Sequence, residues 1–333
     1  MKIGIVVINW NGINLLKKYF RSIYQYSDNS NIYLIDNFSS DNSVSYIKKN
    51  YKKVKIIPLN KNYGFAEGYN KGLKYVKEDY ICIINNDIKV SKGWLNPILE
   101  KLKKFPNTII QPKILDAKKN SYFEYAGAAG GFIDKYGFPY CRGRIFNTIE
   151  EDNNQYKNSK IFWASGACMI LSKKVYDEIG GFDNRFFAHM EEIDFCWRGF
   201  NLGYYCYAIN SSKVFHQGAA TIKKNQTKTY LNYRNSLMML TKNLPLKKLP
   251  IIIFIRLLID FLSSFRFIIK LDFSNFFAIY KAYLDYFIIM KDLLRERNNT
   301  TYKSKYFIIS SIIYNYFILG KKKFFQLKYN NLP

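Results

Sequence analysis

Histidine is scarce in this chain: His189 and His216 are the only two in 333 residues. Five cysteines, Cys82, Cys141, Cys168, Cys196 and Cys206, form an odd set without a C-x-x-C pair. That excludes a disulfide framework and a cysteine-based zinc site, and fits a reducing compartment. Long apolar runs are missing too. No stretch reaches the roughly 18 uninterrupted apolar residues of a spanning helix. The best candidate, LPIIIFIRLLIDFLSSFRFIIK, is broken by Arg256, Asp260 and Arg266. The start, MKIGIVVINWNG, has too short an apolar run for a signal peptide and is expected to form a first strand. Neither G-x-G-x-x-G nor G-x-x-x-x-G-K-[ST] occurs at the glycines of NYGFAEGYN, so a dinucleotide fold and a P-loop are unsupported. Acids are outnumbered, 25 Asp and Glu against 51 Lys and Arg, for a formal net charge of +26.

Hydrophobic residues make up 48% of the chain and aromatics 18%, enough for a sizeable core. In the first half, short β-rich runs (IGIVVI, IYLID, VKIIPL, YICIIN) alternate with amphipathic helical segments such as INLLKKYFRSIY. This order predicts a parallel sheet with right-handed crossovers, whose ligands sit beyond the carboxyl ends of the strands. Four polar clusters occupy those ends: NWNG, DNFSSDNS, NKNYGFAEGYN and NND. Residues 161–171, IFWASGACMIL, give a further strand-like run. Ser172 is then expected to cap a short helix closed by Gly180 and Gly181.

From Lys223 onward 20 Lys/Arg face 5 Asp/Glu, a net +15, so the last third is the most basic part as well as the most apolar. On a helical wheel about Arg256, the residues Asp260, Ser263, Ser264, Arg266 and Lys270 share one polar arc. Such a helix either lies on an anionic membrane surface through its cationic face or packs on the preceding domain or a second copy of the chain.

The candidate chemistry lies in a few acids. Asp87, at the end of a strand, presents a hard oxygen for Mg²⁺ or Mn²⁺, or else belongs to an Asn-rich turn with Asn85 and Asn86. Asp36 ends its strand and is placed to meet a ligand, whereas Asp41, with Ser39 and Ser40, is expected to cap a helix. Gly64 and Gly68 permit close backbone approach at a helix start. In FFAHMEEIDFCWR, Arg198 is expected to neutralise Glu191 and Asp194, leaving Glu192 without a cation. Glu192 is then either a general base with a raised pKa or a buried structural acid. His189 reads as packing. His216, at a strand end, is either a metal ligand with Asp87 or a structural residue.

Taken in order, VVINWNG, IDNFSSDNS, NYGFAEGYN, IINND, WASGACMILSKKVYDEIGGFD, FFAHMEEIDFCWR and VFHQGAAT resemble family 2 glycosyltransferases, in particular their rhamnosyltransferase-like branch. The resemblance covers about residues 3–221. It implies a GT-A fold (nucleotide-diphospho-sugar transferase, Rossmann-like): an α/β, mostly parallel sheet flanked by helices, followed by an α-helical C-terminal region. The expected division is a catalytic domain over 1–225 and a basic amphipathic helical region over 226–333. It also implies that Asp36 meets the nucleotide base with Asn9 and Asn11. Asp87, at the last position of the D-x-D element, and His216 would hold Mg²⁺ or Mn²⁺, with Asn85 replacing the first acid. Glu192 would be the catalytic base. Trp163 and Gly166 would border the sugar, and Gly64, Asn86 and Glu191 complete the nucleotide-sugar set.

The implied partners are a nucleoside-diphosphate sugar, a lipid-linked or saccharide acceptor and an anionic membrane surface, with homodimerisation open and no nucleic acid. The implied location is cytoplasmic, peripheral on the inner face of the plasma membrane. A processive synthase would need spanning helices and Q-x-x-R-W, and a nucleotidylyltransferase a Gly-rich phosphate loop. A non-catalytic basic protein binding membrane or nucleic acid would leave the acidic cluster idle.

Overall fold

The computed structural model describes residues 1–218, 226–297 and 302–329. Residues 219–221 of the VFHQGAAT stretch and the boundary at 225 lie outside the described residues. The strands are β1 (Ile3–Asn9), β2 (Asn31–Asp36), β3 (Lys55–Pro58), β4 (Tyr80–Asn85), β5 (Ile88–Val90), β6 (Thr108–Asp116), β7 (Gly131–Ile133), β8 (Pro139–Cys141), β9 (Arg144–Ile145), β10 (Thr148–Ile149), β11 (Ser159–Ile161), β12 (Cys168–Ser172) and β13 (Tyr205–His216). The helices are α1 (Ile13–Tyr26), α2 (Ser43–Asn50), α3 (Gly64–Gly72), α4 (Asn96–Lys104), α5 (Lys173–Ile179), α6 (Glu191–Leu202), α7 (Gln226–Asn243), α8 (Leu249–Ile269) and α9 (Phe273–Arg295).

The large sheet runs β11-β13-β6-β12-β4-β1-β2-β3, with β5 added on β13. β1 to β4 pair in parallel, as alternation of strand and helix requires, whereas β12 enters antiparallel between β4 and β6. The sheet is therefore mixed, with GT-A architecture. Its two faces follow the period of two: Ile5 and Val7 point with Leu16 and Phe20 into one core, Val6 with Ala66 and Tyr69 into the other.

The run 161–171 is not one strand. It splits into the end of β11 and β12, and Phe162–Ala167 crosses between them. Ser172 caps α5 as expected, its Oγ accepting from the Val175 amide at 3.2 Å, and Gly180 takes the left-handed C-cap.

A second, antiparallel sheet, β10-β9-β8-β7, stands beside the first. The C-terminal segment straps over it: Tyr306 Oη donates to Lys135 O, the Ile312 amide to Asp134 and the Phe324 amide to Glu150. Phe324 packs on Phe132 and Tyr140. Residues from both sides of the anticipated boundary thus share one hydrophobic core. Among the described residues, no helix is long and apolar enough to cross a membrane.

Candidate active site

The four polar clusters predicted at the strand ends meet, and side-chain amides bind them together. The Asn86 amide donates to Asn9 Oδ1 at 2.8 Å, and the Asn9 amide donates to Ser39 Oγ at 3.2 Å. Asn11, held at φ 48°, accepts from the backbone N–H of Ser40 at 2.8 Å. The Asn37 amide bridges to Asn62 and the Gly64 carbonyl, both at 2.9 Å. Gly12 is required here, because a Cβ would sit 2.3 Å from Asn9 Oδ1. Asp36 is buried at the end of β2, opposite Asn9, and its carboxylate accepts a long contact, 3.4 Å, from the Ser39 backbone amide. Asp41 is not the N-cap expected of it: that position of α2 is Asn42, and Asp41, one residue earlier, ties the starts of two helices together by accepting from the backbone amides of Ser43 and Ile13. These bonds hold its pKa down against the upward pull of burial. Trp10 and Phe38, exposed at the same strand ends, drew no notice in the sequence.

Strand pairing delivers His216 to Asp87. β13 carries an irregularity between Ile209 and Lys213, after which it pairs with both β6 and β5. His216 lies opposite Ile88, the residue after Asp87, and the Gln217 amide donates to the Asp87 carbonyl at 3.1 Å. His216 Nε2 is 3.0 Å from Asp87 Oδ1, and Nδ1 is 3.2 Å from Glu124 Oε2. Nδ1 has no well-aligned hydrogen bond, so its contact with Glu124 is an ion pair. Burial alone would lower the histidine's pKa. The Glu124 and Asp87 carboxylates override it and hold the ring well above the usual imidazole range.

Glu124 is the residue the sequence reading missed. It follows the Leu115–Phe123 bridge, where the chain turns back along β6. Its only local signal was an acid between two aromatics ahead of a Gly/Ala run.

The other acids sit at the head of α6, whose first turn carries Glu191, Glu192 and Asp194. A helix N-terminus favours negative charge. The loop entering it is tense: Phe187, His189 and Met190 all have positive φ. α7 clamps this loop. The Asn235 side-chain amide donates to the carbonyls of Phe186, Ala188 and His189 at 2.8–2.9 Å, and Arg234 donates to that of Arg185 at 2.7 Å. Gly64, at φ 72°, lets Phe187 pack where a side chain would collide. His189 is packed in; burial and the nearby Lys228 lower it to about 4.

Arg198 does not neutralise Glu191. Its Nε donates to Asp194 at 2.8 Å and its other nitrogens to the carbonyls of Ile179 and Gly181. Asp194 also accepts from Lys242 and Asn243. Glu191, three residues before Asp194 in the same first turn of α6, shares none of these bonds among the described residues. Among the described residues, one buried oxygen each of Glu191 and Glu192 has no hydrogen-bond partner. Burial, then the charge of Glu192, pushes Glu191 well above the usual carboxyl range. Burial raises Glu192 to about 7, partly opposed by the free amides at the start of the helix.

The two acid clusters belong to one region. The Asn85 amide donates to the Ala167 carbonyl at 3.0 Å, which sets Gly166 beside the end of β4. A Cβ at Gly166 would lie 3.6 Å from that of Glu192. Trp163 does not join them: it is buried against Gly131, its indole N–H donating to Phe132 O at 3.0 Å.

The donor chemistry fits a hard divalent ion in one respect. Asp87 and His216 Nε2 converge, while Glu124 holds the opposite ring nitrogen, as outer carboxylates do for metal-bound histidine. Two protein ligands leave positions for phosphate oxygens. Among the described residues, no group of three or more His, Cys, Asp or Glu side chains forms a ready-made metal cluster.

Strand-end clusters around a carboxylate–imidazole pair, with acids at a helix head, thus gather at the carboxyl ends of the strands of a GT-A fold. The sequence model of the family described as Glycosyl transferase family 2 matches residues 4–180, and the chain belongs to that family, with rhamnosyltransferase-like relatives. It is 22% identical over 204 residues to the N-acetylglucosaminyl-diphospho-decaprenol L-rhamnosyltransferase of Mycobacterium tuberculosis, covering 56% of this chain and 66% of that one, just under two thirds. It is 23% identical over 243 residues to the low-salt glycan biosynthesis hexosyltransferase Agl10 of Haloferax volcanii, covering 70% and 73%. The crystal structure of GalNAc-T7 with UDP, GalNAc and Mn²⁺ superposes with a TM-score of 0.58 at 15% identity, over 74% of this chain and 49% of that one.

Proposed function

We propose that this glycosyltransferase moves a rhamnose-like or other hexose from a nucleoside-diphosphate sugar to a hydroxyl of a lipid-linked or saccharide acceptor, with inversion, in bacterial cell-surface glycan synthesis. The observation that carries the reading is Glu192: a buried carboxyl with an unpartnered oxygen, poised near neutrality and set against Gly166 at the strand ends. In one displacement the acceptor oxygen bonds to the anomeric carbon. The bond from that carbon to phosphate breaks, its electron pair leaves with the nucleoside diphosphate, and the acceptor proton passes to Glu192. Asp36, Asn9 and Asn11 orient the nucleotide. Gly64, Asn85, Asn86, Gly166 and Glu191 border the donor, and Trp163 supports that border from the core.

Asp87 and His216 would hold Mg²⁺ or Mn²⁺, and Glu124 fixes the imidazole. Such an ion offsets charge on the departing diphosphate. Residues 1–225 carry the catalysis, and the helical region from 226 keeps the enzyme at the cytoplasmic face of the membrane where lipid-linked acceptors are found. The relative acting on a diphospho-decaprenol sugar supports that acceptor class.

The test is a panel of nucleotide sugars incubated with the protein and Mn²⁺, read by nucleoside diphosphate release. One or a few donors should turn over. Release from none of them, with and without polyprenyl-diphosphate-linked sugars, sinks the reading.

A further inference from the structure

The polar arc of α8 divides: its Arg256–Asp260–Ser264 part packs on the protein, the second of the two arrangements expected of it, while Arg266 and Lys270 stay exposed. Arg256, Asp260 and Ser264 point inward and are buried. Arg256 donates to the Tyr136 carbonyl at 3.1 Å, to Ser236 at 2.9 Å and to Asp260 at 3.3 Å, and Asp260 accepts from Tyr283 at 2.8 Å. The outward side is therefore apolar: Phe254, Leu258, Phe261, Leu262 and Phe265 are all exposed, Leu262 to 68%. At the tip of the α8–α9 hairpin, Ile269 is 82% and Leu271 76% exposed, with Phe273 following.

We propose that the α8–α9 hairpin docks on a lipid leaflet by inserting this apolar outer side, its flanking cations meeting anionic headgroups. The proposal deepens the lipid-linked acceptor reading above and rests on it only for its purpose, since the observation lies outside the active site. Soluble monomers rarely expose so long a run of large apolar side chains. The occupant follows from charge. Arg266 and Lys270 are exposed beside the patch, and exposed Phe317 and Ile318 precede Lys321, Lys322 and Lys323. With a net +15 after residue 222, a second copy of this surface repels, while an anionic leaflet attracts. Neither helix is long and apolar enough to cross, so the hairpin lies in the interfacial plane.

Sedimentation with phosphatidylcholine vesicles containing phosphatidylglycerol tests this on the full chain. The parent should pellet and stay bound at high salt. Phe261→Asp with Leu262→Asp should lower partitioning at least tenfold while leaving the melting profile and vesicle-free donor hydrolysis unchanged. Arg266→Gln with Lys270→Gln should weaken binding less, and only at low salt. Phe265→Trp should be quenched by doxyl groups placed shallow in the acyl chains. A parent that remains in the supernatant, or a double-Asp variant that pellets as well as the parent, overturns the docking. So does a solution dimer that the double-Asp change splits, since a second copy then covers the face. Vesicle binding without donor turnover supports the docking and removes the glycosyl-transfer reading alone.

Discussion

Two acidic clusters share the strand-end cleft, and their surroundings are opposite. Asp87 and Glu124 flank one imidazole from both sides, each within 3.2 Å of a ring nitrogen. Among the described residues, Glu191 and Glu192 at the head of α6 each keep one buried oxygen without a hydrogen-bond partner, while Asp194, in the same turn, has Arg198, Lys242 and Asn243. An unpaired, desolvated carboxyl has its pKa raised toward neutrality and can exchange a proton there.

The contrast breaks first at Glu192. Glu192→Gln should lower turnover by about 10²–10⁴-fold with donor binding kept. Parent turnover should fall as pH drops through about 7, and the variant should lack that limb. The stability sign is the reverse. A carboxyl raised from 4.5 to about 7 favours the fold most below 4.5, and that advantage is lost as pH rises through about 7. The variant should therefore melt above the parent at pH 8, which calorimetry can check. Equal turnover would remove Glu192 from its role.

At the paired cluster, Asp87→Ala should abolish Mn²⁺-dependent donor binding. Glu124→Gln should weaken Mn²⁺ binding roughly 10–100-fold by titration, since it acts through the histidine. Equal effects of the two changes would make Glu124 a direct ligand. The smallest effect is expected at the clamp. Asn235→Ala removes the two N–H donors shared among three carbonyls, at about 0.5–1.5 kcal/mol per donor, and it should lower Tm by several degrees and raise the exchange rates of amides 186–192. Unchanged exchange would show that the strained loop holds itself.

Much of this was legible in the chain. The period-two runs gave β1 to β4, and their polar ends lie where the four clusters meet. Ser172 caps as residue type and position predict, whereas the cap of α2 falls to Asn42 and not to Asp41. Three features were not legible, because each depends on distant partners. Glu124 reaches His216 only through the return along β6. Lys242, from α7, helps Arg198 to satisfy Asp194 and so isolates Glu191. The Arg256–Asp260 arc was visible on the wheel, but the wheel does not say which side meets the protein; Ser236, Tyr283 and the Tyr136 carbonyl draw it inward. Trp163 was assigned to the sugar by resemblance and is spent on packing against Gly131.

The clamp also bears on how such enzymes diversify. Because Asn235 and Arg234 sit in the helix that opens the C-terminal region, yet hold the segment just before the acids of α6, that region cannot be exchanged for another as an inert tether. A graft from a relative would have to supply the same pair of donors, at the same height along its first helix, or the acids of α6 would lose their footing. Recombination between family members should accordingly succeed at junctions after Asn243 and fail at those before Arg234.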